Sequence, residues 1–254
     1  MFGLIEITPF LFGLACLVGI LAGIVKGVVG FAMPMILVSG LGTFFPPELA
    51  LAGIIMPTVV TNVSQAFRNG ARAAWATIIK FRRFLMIGGV FLVSSAQLVN
   101  SIPSQIYLGT LGCIILLFAL AQLFDLFPRF EEGNKKVETI AAMIGGILGG
   151  LSGTWGPPTV IYLTAMNVAK SDSFRIQGVV YGLGSLALVF AHMASGILTM
   201  QTASFSAVLV IPAMIGFWIG GRLSDKVDQA GFKRMTLIVL IIAALNLIRR
   251  AVFG

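Results

Sequence analysis

The sequence predicts an all-α polytopic membrane protein of two inverted-topology repeats, each a broken Gly/Pro-rich helical hairpin plus three transmembrane helices. Three observations carry that prediction. The first is composition: of 254 residues, 58% are hydrophobic and 10% charged, with a mean hydropathy of +1.02. Soluble domains carry about 25% charged residues, so this chain has too few to cover a water-facing surface. The second is a succession of apolar runs separated by short polar connections. The third is a glycine and proline pattern that recurs at nearly half the chain length.

Apolar runs occupy residues 9–45, 49–67, 84–99, 105–127, 139–168, 176–200, 202–221 and 235–252. One spanning helix needs about 20 apolar residues, so most of these read as single spans. The runs 9–45 and 139–168 are longer than a span and are interrupted by Gly and Pro. The chain divides into an N-terminal transmembrane repeat (1–127), a cytoplasmic linker (128–138) and a C-terminal transmembrane repeat (139–254). The first apolar run lacks the basic flank of a secretory signal and is read as retained.

The net charge of +8 comes from 17 basic and nine acidic residues. Read alone, it could suggest nucleic acid; its distribution says otherwise. Fourteen of the 17 basic residues lie in four connections: Arg68, Arg72, Lys80, Arg82 and Arg83; Arg129, Lys135 and Lys136; Lys170 and Arg175; Arg222, Lys226, Lys233 and Arg234. Cytoplasmic loops collect Lys and Arg, so these four connections are expected inside. The first long run then begins and ends outside, and the second begins and ends inside. Arg249 and Arg250 fall outside against the rule, and Lys26 is left within an apolar run.

Gly19, Gly23, Gly27 and Gly30 recur, 126 residues later, as Gly145, Gly149, Gly153 and Gly156. Pro34 follows the first copy, and Pro157 and Pro158 the second. Small residues four apart also serve close helix packing. A doubled, proline-ended pattern in two halves of opposite orientation points further, to a transporter binding site. A broken helix exposes unpaired N–H groups and a positive dipole end within the membrane, where they can hold an anion.

At these residues the chain resembles the TauE/SafE sulfite-exporter family, also called the toluene-sulfonate uptake permease family. Each half of a member opens with a glycine-rich segment followed by proline, as in Gly19 to Pro34 and Gly145 to Pro158 here. Where many members carry adjacent glycines, this chain has Val28-Val29-Gly30. The resemblance covers essentially the whole chain. It implies secondary transport of sulfite, sulfonates or related organic anions by alternating access across a bacterial inner membrane.

The candidate substrate contacts follow from these segments. Lys26, with Gly27 and Gly30, would supply counter-charge to the anion; the competing role is a lysine that snorkels to the interface. Gly153, Thr154, Trp155 and Gly156 would supply hydroxyl, indole and backbone donors, Trp155 alternatively being an interfacial anchor. Thr58, Asn62 and Gln65 form a polar stripe on one helix face, for substrate or for interhelical hydrogen bonds. Arg175, Gln177 and Tyr181 open a later helix, where Arg175 is either an oxyanion fork or an orientation charge. The lone histidine, His192, is either a proton relay or a packed side chain.

Two rivals come from other classes. Gly150-Leu151-Ser152-Gly153 matches the G-x-S-G of rhomboid intramembrane proteases, with His192 as the dyad partner; a passive anion channel could use the same parts as a carrier. The chain is expected to be a transporter, not an enzyme. No cofactor is expected: the two cysteines, Cys16 and Cys113, have no metal-site spacing, and no phosphate-binding loop is present. The partners expected are a small anion and the lipid bilayer, without nucleic acid; a homodimer is compatible with the sequence.

Overall fold

The structure, a computed structural model, describes residues 8–96, 103–124, 126, 134–152, 156–194 and 198–253. Among them the chain is helical and contains no strand. The helices are α1 (Pro9–Val29), α2 (Met33–Leu41), α3 (Pro47–Ala66), α4 (Ala71–Lys80), α5 (Arg82–Ala96) and α6 (Ser104–Leu123). They continue with α7 (Lys135–Ser152), α8 (Gly156–Ala165), α9 (Lys170–Ala194), α10 (Met200–Asp225) and α11 (Gln229–Phe253). Helices within α1, α3, α10 and α11 are long and apolar enough to cross a membrane. The chain is a multi-pass membrane protein.

The first long apolar run is broken as its glycines and proline predict; in the second, α7 and α8 lie on either side of residues 153–155, which fall outside the described residues. Thr8 caps α1 by accepting from the Leu11 N–H, and Pro9 opens it. The helix stops at Gly30, whose φ of 88° is readily adopted only without a Cβ. Ala32, at φ 74°, then turns the chain into α2. The same order, long helix then short helix, recurs in α7 and α8. Pro9 and Lys135, the first residues of α1 and α7, stand 126 residues apart. At 1.5 Å per residue α2 and α8 are only about 15 Å long, half of a hydrocarbon layer about 30 Å thick.

The structure departs from the sequence reading at 68–83. That stretch was expected to be a polar connection, and it contains α4. Its Ala-rich run is a strong helix former, but it is too short and too charged to register as an apolar span.

The chain forms two compact units, Met1–Ser64 with Gly182–Lys226, and Gln65–Tyr181 with Val227–Gly254. In the first, α1 lies along α10. A methyl added at Gly23 would fall 2.8 Å from the Phe217 nitrogen, and one at Gly27 would fall 2.8 Å from the Gly220 Cα. Gly216 and Gly220 of α10 are equally tight against Ile20, Ile24 and Gly27 of α1. Met33, Leu37 and Leu41 of α2 complete a core with Phe45, Phe205, Leu209 and Ala213.

In the second unit α7 lies along α5, and α6 along α11. A methyl at Gly146 would fall 2.8 Å from the Phe91 Cβ, and the Ser95 hydroxyl donates to the Gly146 carbonyl at 3.3 Å. Each long helix of a broken pair thus packs along a helix from the other half of the sequence. The basic connections also meet within this unit. Arg83 donates to Thr139 (2.8 Å), Arg175 to Thr77 (2.8 Å), and Lys170 to the Val227 carbonyl (2.8 Å).

Candidate functional site

In the first unit the charge left inside an apolar run becomes the centre of a polar cluster. Lys26 lies in the last turn of α1, where carbonyls carry the negative end of the helix dipole. Its side chain is 0% exposed, so it does not snorkel. The ammonium donates to the Thr61 hydroxyl at 2.9 Å and to the Asn62 side-chain oxygen. Because a lysine can only donate, the Asn62 amide must turn its oxygen to it. Its nitrogen is then free to donate to Ser185 at 3.3 Å, and the Ser185 hydroxyl donates to the Gly182 carbonyl at 2.9 Å. Gly182 of α9 lies beside Asn62 of α3, where an added methyl would make ordinary van der Waals contact, 4.0 Å from the Asn62 Cβ.

Pro57 interrupts the donor ladder of α3, and the Thr61 hydroxyl donates back to the Pro57 carbonyl at 2.6 Å. One turn before Asn62, the buried Thr58 hydroxyl finds no partner among the described residues. Every group held to Lys26 is neutral; among the described residues no carboxylate reaches it. A dipole contact contributes at most about 2 kcal/mol. Burial costs an ion several kcal/mol. The dipole therefore does not offset the burial, and the two neutral hydrogen bonds use two of the ammonium's three N–H donors.

The structure joins Lys26 to Asn62, which the sequence reading had placed in separate groups, and adds Thr61 and Ser185, which it missed. Lone hydroxyls are common in spans and show no periodic signal. Gly27 sits against α10, and Gly30 ends α1 with its N–H on the Lys26 carbonyl at 2.7 Å.

The remaining candidates, except His192 of the first unit, belong to the second unit. Gln65 donates to the Phe174 carbonyl at 2.8 Å, and Gly178 packs against the Gln65 and Ala66 backbone. Arg175 is engaged by Asp172 (2.7 Å) and Thr77 (2.8 Å). Gln177 is fully buried; its nitrogen donates to Ser173 at 3.2 Å, and its oxygen has no partner among the described residues. Tyr181 donates to the Gly156 carbonyl at 2.8 Å, at the start of α8. Gly153, Thr154 and Trp155 lie outside the described residues, as does Gly153 of the protease-like motif. His192 is half-buried in α9, and its carbonyl accepts from the Leu198 N–H at 2.9 Å.

Residues 15–247 match the family model described as sulfite exporter TauE/SafE. No curated protein and no solved structure gives a significant match. The family match spans nearly the whole chain, and the chain belongs to the TauE/SafE family, a family of transporters rather than enzymes.

Proposed function

From membership of this transporter family, we propose that the chain is a secondary transporter moving sulfite or a short organosulfonate across the cytoplasmic membrane of a bacterium by alternating access. The repeats 1–127 and 139–254, joined by 128–138, are inverted copies on this reading. The supporting observation is Lys26: a buried ammonium held by neutral groups of α3, the helix that also carries a Thr58 hydroxyl with no partner among the described residues. Such donors suit the oxygens of a small anion, with Lys26 as counter-charge, Thr58 as an added donor and Asn62 as the brace. Gly27 lets α1 pack closely on α10 and Gly30 ends the helix, which fixes where Lys26 stands. Gln65, Gly153, Thr154, Trp155, Gly156, Arg175, Gln177 and Tyr181 are proposed as substrate contacts of the second unit, each to be replaced in turn in the same assay.

Protein reconstituted in vesicles is expected to exchange labelled sulfite or a two-carbon sulfonate, saturably and without conductance. Sulfite, sulfate, sulfoacetate, isethionate and acetate as competitors would rank the substrates. Lys26→Met, which keeps the volume and removes the charge, is expected to weaken binding at least tenfold. Undiminished uptake by that variant would remove Lys26 from the site, and a conductance without saturation would favour a channel.

A further inference from the structure

The ten residues of α4 reach about 15 Å and cannot cross a bilayer. Its inner face, Ala74 and Thr77 with Ile78, packs on Ala66 and Val179. Its outer face carries Trp75 and Ile79, one turn apart and 64% and 50% exposed. Arg72 and Lys80 stand exposed beside them, and Arg82 follows. From Ala66 to Phe84 the chain holds five basic residues and no acidic one. Trp belongs at the membrane–water boundary, and a short helix with an apolar, Trp-bearing face and a basic rim lies in the plane of that boundary.

We infer that α4 lies in the headgroup layer of the membrane and binds anionic phospholipid. Any lipid would cover Trp75 and Ile79, but only an anionic headgroup complements Arg72, Lys80 and Arg82. The hydrogen bonds from Arg83 to Thr139 and from Arg175 to Thr77 join α4 and its flank to other basic connections, deepening the local positive field. Through Thr77 the lipid-seated helix is also tied to the start of α9. Anionic-lipid binding by α4 does not depend on the anion site proposed above, although Arg175, one of that site's proposed contacts, donates to Thr77.

The test uses the full chain in nanodiscs of phosphatidylcholine containing a minor share of either brominated phosphatidylglycerol or brominated phosphatidylcholine. Tryptophan quenching is read for the natural chain and for Trp75→Phe, whose difference isolates Trp75. Phosphatidylglycerol is expected to quench Trp75 the more strongly. Preference for it should fall about fivefold for each charge removed in the Arg72→Gln, Lys80→Gln, Arg82→Gln series, and should collapse at high salt. The salt comparison decides the matter even if the triple variant folds poorly. Equal quenching by the two lipids at low salt would overturn anionic-lipid recognition. Identical quenching of the natural chain and Trp75→Phe would overturn the placement of α4.

Discussion

A lysine one turn from a helix end ordinarily runs its stem toward water; Lys26 instead turns inward to Thr61 and Asn62. What holds it there is a directed relay in which each group has one assignable role. The ammonium donates to Asn62, Asn62 to Ser185, and Ser185 to the Gly182 carbonyl. A hydrogen bond to a charged group contributes about 1.5–3 kcal/mol, so losing it should disturb the site more than losing the neutral link behind it. Asn62→Leu is expected to weaken anion binding about tenfold, the equivalent of about 1.4 kcal/mol. Ser185→Ala should cost about threefold, the equivalent of about 0.6 kcal/mol, toward the low end of the roughly 0.5–1.5 kcal/mol that a neutral bond contributes. Equilibrium binding of a labelled sulfonate in detergent measures both. Equal losses would mean that Ser185 touches the anion itself rather than steadying Asn62.

At the scale of elements, the glycine ladder shows how far a sequence pattern can be read. The spacing Gly19, Gly23, Gly27 is the same whether it serves a binding site or a helix contact. Only the partner helix decides, and nothing in the spacing reveals it. In the structure the contact is with α10, backbone against backbone, so a methyl cannot be absorbed by a rotating side chain. Gly27→Ala is therefore expected to destabilise by about 1–3 kcal/mol, seen as a lowered detergent melting temperature. Gly13→Ala on the same helix, with nothing within 4 Å of the added carbon, should change stability by less than about 0.5 kcal/mol. The helix break at Gly30 was legible because glycine and proline act locally. Lys26 was legible because it is a lone charge in an apolar run. Thr61, Ser185 and α4 were not: a hydroxyl in a span carries no period, and α4 has the composition of a connection. The pairing of α1 with α10 and of α5 with α7 joins residues nearly 200 or about 50 positions apart, a separation that local patterning does not encode.

At the scale of the whole molecule, the place where the cations gather is the expected guide to orientation. Within the second unit the connections at 68–83, 135–139, 170–175 and 227–229 are joined by hydrogen bonds from Arg83, Arg175 and Lys170. The first three of these carry Lys or Arg, and such a gathering is what the positive-inside rule expects of a cytoplasmic side. Arg249 and Arg250 lie near the far end of the 25-residue α11 from Gln229, which donates to the Val168 carbonyl. They are too few to outweigh the charges at the other end, and Arg249 is occupied by Asn246 at 3.0 Å. If the halves are inverted, the loop that closes the first broken hairpin faces outward and the loop that closes the second faces inward. Thr43 and Ala169 are exposed positions in those two loops. In a chain with Cys16 and Cys113 replaced by serine, Thr43→Cys is expected to react with a membrane-impermeant maleimide added to intact cells. Ala169→Cys should react only after the membrane is opened. Labelling of both from the same side would show that the halves share one orientation, and the transporter would then have to work without an inverted repeat.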